Sequence, residues 1–98
     1  MNEIVVVDKD LQDLIPGFLK NRETDIEKLT KAIEEEDYET IRIIGHSMKG
    51  FGSGYGFHFV TEIGKVIEEA GLKKDLKKAN ESLERLKLYF ANIEIRYE

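Results

Sequence analysis

Apolar residues recur every three or four positions along most of the chain, and this period constrains the fold more than any other feature. The most regular stretch is Leu72, Leu76, Ala79, Leu83, Leu86, Phe90, Ile93 and Tyr97, whose steps alternate four and three throughout. An α-helix turns about 100° per residue, so residues spaced this way share one face. The same spacing links Leu19, Ile26, Leu29 and Ile33, then Ile41, Ile44, Met48, Phe51 and Tyr55, then Phe59, Ile63, Val66, Ile67 and Ala70. Four amphipathic helices with short connections predict an all-α fold, an antiparallel up-down four-helix bundle preceded by a short N-terminal arm and helix.

The punctuation agrees with this division. Asp8 or Asp10 is placed to cap a short first helix over "DLQDLI". Pro16 either ends that helix or occupies the first turn of the next, where its missing N–H costs nothing. The first long helix should run from Pro16 to about Glu36, with Asp37 capping the second. "GSGYG" reads as a turn, and Gly71 as the left-handed stop of the third helix. Residues 4–7, "IVVV", are β-branched but too few to imply a sheet. Whether they pair with the terminal "IEIRYE" or that segment extends the last helix is open. A chain of 98 residues suits one domain spanning 1–98, with the arm at 1–15 and the bundle at 16–98.

Charge narrows the function classes. The net charge is −5, and no basic patch suited to phosphate backbones stands out, so no nucleic-acid partner is expected. The "KKDLKK" run at 73–78 reads as a solvated helix face. No cysteine is present, which removes disulfide and thiolate chemistry. "MNEIVVVDKD" is too short in its apolar run for a signal sequence, and no run is long enough to span a membrane. The expected setting is the cytoplasm, with no membrane partner and a monomeric state.

The glycines break the pattern. Five of the eight fall within "GHSMKGFGSGYGF" at 45–57, together with one of the two histidines. On a helical projection the stripe Ile41, Ile44, Met48, Phe51 and Tyr55 lies on the side away from His46, so His46 faces outward. Ser53 falls about 20° from it, Arg42 and Gly50 about 40°, and Lys49 and Ile43 about 60°. Gly50, one turn on, leaves the ring uncovered. Two neighbouring cations favour the neutral imidazole and make the spot hospitable to an anion. A neutral imidazole can attack phosphorus, and the resulting phosphoryl group needs positive neighbours.

Other chemistries fit poorly. The glycines lack G-x-G-x-x-G spacing and a preceding strand, and Lys49 has no phosphate-loop frame. His46 and His58 belong to no set of zinc ligands, and no Glu-x-x-His pair exists for a metal in the bundle core. His58 reads as a surface or cap residue at the start of the third helix.

The stretch "HSMKGFGSGYGF" resembles the histidine phosphotransfer (HPt) domains of bacterial phosphorelays. Their pattern is a histidine followed by lysine at +3, glycine at +4 and glycine at +10, here His46, Lys49, Gly50 and Gly56. The resemblance extends to the length and the helical plan, and "DLIPGFLKNRETDIEKL" and "DYETIRIIGHSMKGFGSGYGF" look like the opening half of a stand-alone HPt protein. It implies that His46 accepts a phosphoryl group through Nε2 from an aspartyl phosphate on a response-regulator receiver domain or a hybrid histidine kinase, or returns it. Lys49 would steady the phosphoryl oxygens, Gly50 would clear the approach, and Gly56 would shape the turn. Arg42 and Ser53 are supporting candidates by projection, not by motif. Such a protein is a carrier rather than a turnover enzyme. It needs no cofactor or metal of its own, because Mg²⁺ sits in the receiver. An apolar docking surface could combine Ile43 with Leu14, Ile15 or Phe18. Gly52 and Gly54 exceed the family pattern and should shorten the second helix. A degenerate relative that binds receivers or kinases without phosphotransfer is the alternative.

Overall fold

A computed structural model describes residues 3–98. The chain forms β1 (Glu3–Val7), a 3-10 turn (Lys9–Leu14), α1 (Ile15–Glu34), α2 (Tyr38–Phe51), a second 3-10 turn (Ser53–Tyr55), α3 (His58–Lys73), α4 (Leu76–Asn92) and β2 (Ile93–Tyr97). Four helices thus dominate, and a small strand pair joins the two ends of the chain.

Local chemistry sets the helix bounds. Asp8, Asp37 and Asp75 each accept a hydrogen bond from a backbone N–H in the turn that follows, the standard way to satisfy the orphan donors of a helix start. Pro16 lies in the first turn of α1, where the helix needs no N–H from it. α1 ends at Glu34, and Glu36 takes a positive φ of 53° just beyond it.

Three expectations need correction. Gly71 does not stop α3. The helix continues to Lys73, and Lys74 takes the left-handed conformation at φ 56°. Gly71 instead lies against α2, where a Cβ would stand 2.5 Å from the Arg42 nitrogen. Leu72 therefore belongs to α3 and is exposed rather than starting the last stripe. The fourth helix also stops early. α4 ends at Asn92, and Ile93 and Tyr97 leave the helical stripe for β2. Tyr55, assigned to the second helix, sits in the 3-10 turn after it.

The arm over Ile4–Val7 pairs in parallel with β2, in the register Glu3 with Ile93 through Val7 with Tyr97. Alternation along β1 buries Val5 and Val7 and exposes Ile4 and Val6. The core beneath is built by Phe57, Leu29, Ile41, Met48, Val60, Ile67 and Leu86, all fully buried. Phe18 stacks on Phe57 at 4.8 Å between ring centroids. Arg22 is buried with its guanidinium 3.9 Å from the Phe51 centroid, and its Nε donates to Asp25 at 2.9 Å. Burial outweighs Arg22 there and raises the Asp25 carboxyl above its ordinary value.

α2 and α3 run in opposite senses and approach unusually closely, and this pair positions the site. A Cβ on Gly45 would stand 2.2 Å from the Glu68 nitrogen, and one on Gly64 would stand 2.5 Å from the Lys49 nitrogen. Neither distance is compatible with a side chain. Gly52 has the same explanation, since a Cβ there would stand 2.6 Å from the Thr61 nitrogen. The extra glycine is thus a contact point with α3.

Candidate functional site

His46 lies in the middle of α2 on the side away from the core. Its ring is 64% exposed, while Ile44 and Met48 on the opposite face are buried. The close approach at Gly45 brings α3 within reach of it. Glu68 rises from α3 and places Oε2 2.7 Å from His46 Nδ1. The other carboxylate oxygen, Oε1, accepts from Lys49 Nζ at 2.7 Å. One carboxylate therefore bridges the histidine and the lysine.

The proton positions follow from this geometry. Hydrogen bonds from Lys49 first, then from His46, hold the Glu68 carboxyl below its ordinary value. An ionised carboxylate only accepts, so Nδ1 must carry the hydrogen. In the neutral ring that leaves the lone pair on Nε2. The nitrogen with the free lone pair is thereby fixed, in a ring that is largely exposed.

Gly50 has nothing within 4 Å of the space its Cβ would fill. Its missing side chain serves no packing contact in this chain, and the surface beside the ring stays bare. Gly56 adopts φ 90° at the end of the 3-10 turn. Only a glycine takes this conformation without strain, so Gly56 forms the turn into α3.

Arg42 and Ser53 take their hydrogen-bond partners elsewhere than at the ring. Arg42 is paired with Glu39 through two hydrogen bonds, one of them 3.2 Å from Nε to Oε2. Glu39 raises the Arg42 guanidinium, with a smaller contribution from Glu68. With Lys49 on Glu68 and Arg42 on Glu39, both expected cations are matched by carboxylates. Their net pull on the imidazole is therefore not that of two free charges. Ser53 is 20° from His46 only on a continuous helix, and α2 ends at Phe51. Its backbone N–H and hydroxyl bond instead to Thr61 Oγ1 at 2.8 and 3.0 Å. His58, exposed at the first position of α3, places Nδ1 3.3 Å from the Ser53 hydroxyl.

Of the apolar residues considered for docking, Ile43 and Leu14 are exposed, whereas Ile15 and Phe18 are buried core residues and cannot contribute. The marked surface clefts are not lined by His46, Lys49 or Glu68. The ring is presented to solvent rather than enclosed. Among the described residues, no three His, Cys, Asp or Glu side chains cluster to hold a metal ion, and no helix is long and apolar enough to cross a membrane.

The helical pattern of the sequence does not single out Glu68. It sits beside the core position Ile67, on the border of the apolar face, where an acidic residue looks like ordinary solvation. A signal was present in the spacing of small residues: Gly45 in α2 and Gly52 just past its end, Gly64 and Gly71 in α3, each pair seven apart. Matching glycine stripes imply backbones close enough for a short acidic side chain to cross between helices. No known protein family, curated protein or solved structure matches the chain.

Proposed function

We propose that the chain is a histidine phosphotransfer protein: a carrier that moves a phosphoryl group between His46 and an aspartate of a receiver domain. The observation that carries this reading is the single exposed imidazole whose Nδ1 is bound by Glu68 while Nε2 is left free. An exposed nucleophile held by a carboxylate suits exchange between proteins better than turnover of a small molecule. The helical plan supports the same reading, with the four helices as an antiparallel up-down bundle and the cytoplasm as the working compartment.

The Nε2 lone pair attacks the phosphorus of the aspartyl phosphate. The bond from phosphorus to the carboxylate oxygen breaks, and the aspartate leaves as a free carboxylate. Nε2 keeps the phosphoryl group, and the ring, still protonated at Nδ1, gains positive charge. Glu68 faces that charge directly and stabilises it. Lys49 exchanges its bond to Glu68 for the phosphoryl oxygens, which need a cation more than the neutralised pair does. The divalent metal, Mg²⁺, belongs to the receiver, and the reverse reaction uses the same groups.

The test is transfer from a phosphorylated receiver domain. Wild type should acquire an acid-labile phosphate, and His46→Gln should acquire none while keeping its helical circular dichroism. Equal labelling of the two proteins would refute the assignment.

A further inference from the structure

We propose that β2 pairs edge to edge with β2 of a second copy of the chain, antiparallel, about a two-fold axis at Ile95. The inference is independent of the phosphotransfer reading and replaces the monomer expected from sequence.

The strand pair has two edges, and they differ. The ladder fixes which backbone groups face which way. Glu98 N–H donates to the Val7 carbonyl at 3.0 Å, and Lys9 N–H donates to the Glu98 carbonyl at 3.1 Å. Backbone groups alternate along a parallel pair. Glu94, Arg96 and Glu98 therefore point their N–H and C=O at β1, and Ile93, Ile95 and Tyr97 point theirs away from it. On β1 the outward groups belong to Ile4 and Val6. On that edge Gly56 packs at Val6, where a Cβ would stand 2.9 Å from the carbonyl oxygen, while the Ile4 and Val6 side chains are half-exposed. Among the described residues, no other element forms a backbone hydrogen bond with Ile93–Tyr97. An open row of donors and acceptors is a template for another strand.

The strand is chemically self-complementary about Ile95, which commits the occupant to a second copy. In an antiparallel pair centred there, Ile95 faces Ile95, Ile93 faces Tyr97 of the second copy, and Glu94 faces Arg96 of the second copy. The outward-facing residues fall into hydrogen-bonded pairs. The charged residues fall into the closer non-bonded pairs, where opposite charges attract. A slip of one residue sets Glu94 against Ile95 or Tyr97, and a slip of two sets Glu94 or Arg96 against itself. Position favours the pairing as well. The inward residues of β1, Val5 and Val7, are buried, whereas Ile93, Ile95 and Tyr97 are only half-buried. β2 thus lies at the margin of the core, and a second copy would cover the remaining apolar surface of those side chains. The product is one four-stranded sheet with the order β1, β2, β2, β1.

Sedimentation of the full chain over a range of concentrations tests this. Wild type should reach twice the mass of the chain. Ile95→Pro removes an N–H that β1 does not use, and edge strands accept proline; it should sediment as a monomer with unchanged circular dichroism. Glu94→Arg and Arg96→Glu should each weaken the dimer about tenfold, and the double exchange should restore it. A wild type that stays monomeric at millimolar concentration overturns the proposal. So does a dimer that survives Ile95→Pro, or a double exchange no tighter than either single change.

Discussion

Glu68 decides which nitrogen of His46 is available. A surface histidine without a partner samples both tautomers, and only the form protonated at Nδ1 offers Nε2 as a nucleophile. The bridge from Lys49 and His46 holds the Glu68 carboxyl below its ordinary value of 4.5. A depressed folded-state pKa means that the interaction is present above the ordinary carboxylate range and fades as pH falls through it. At neutral pH the carboxylate is therefore an acceptor and nothing else. Removing it should free the ring. Glu68→Ala is expected to shift the His46 tautomer toward Nε2–H in ¹⁵N NMR spectra and to slow transfer from a phosphorylated receiver about 10–100-fold, the worth of a charge-assisted hydrogen bond. An unchanged tautomer would show that something other than Glu68 orients the ring. The fold should survive, because the polar bonds of Glu68 go to His46 and Lys49 at the surface rather than into the core, and circular dichroism checks it.

At the scale of elements, the seam between α2 and α3 makes the bridge possible, and its glycines are of two physical kinds. Gly45, Gly52, Gly64 and Gly71 each lie where a Cβ would meet backbone at less than 3 Å. Gly50, in the same helix, has open space around it. Gly64→Ala should therefore force the helices apart and destabilise the protein by about 1–3 kcal/mol, the usual cost of overpacking. It should also lengthen the reach from Glu68 to His46. Gly50→Ala should do the opposite to stability. It removes a helix-interior glycine without a clash and should stabilise by about 0.8–1 kcal/mol. If Gly50 serves access to the ring, the same substitution slows phosphoryl transfer while raising the urea midpoint. A Gly50→Ala protein that is more stable and equally fast would leave that glycine without a function. The two substitutions, compared in one denaturation series, separate a glycine kept for packing from one kept for a partner.

For the whole molecule, periodicity made the helices legible, because burial of one face is a local property that repeats along the chain. Met48 in the core and His46 facing out follow from it, and Asp37 as a cap follows from the equally local chemistry of a helix start. Contacts between distant segments were less visible. "IVVV" and "IEIRYE" are each too short to signal a sheet, and Ile93 and Tyr97 continue the helical stripe of α4 by accident of spacing. Only their pairing across the full chain gives them strand conformation. Gly71 looked like a helix stop because a glycine near a helix end usually is one; its reason lies on α2. Glu68 was missed for the same cause, since its partner is on another helix. Closure of the chain ends also shapes the response to alkali. Tyr89 lies in α4 beneath β1, its ring stacked on Phe59 at 4.4 Å. Burial first, and then the negative charge of Glu3, push its phenol from 10.0 up to about 12. A raised folded-state value means the folded protein holds this proton after the unfolded chain has released it. The associated stability is fully present below about pH 10, the ordinary phenol value, and is lost as pH rises toward 12. Denaturation midpoints measured across this interval should fall more steeply for wild type than for Tyr89→Phe, which has no proton to lose. Phenolate absorbance should show the matching late ionisation in wild type and its disappearance in the variant. Parallel slopes for the two proteins would mean that Tyr89 is hydrated, and that β1 does not seal this end of the core.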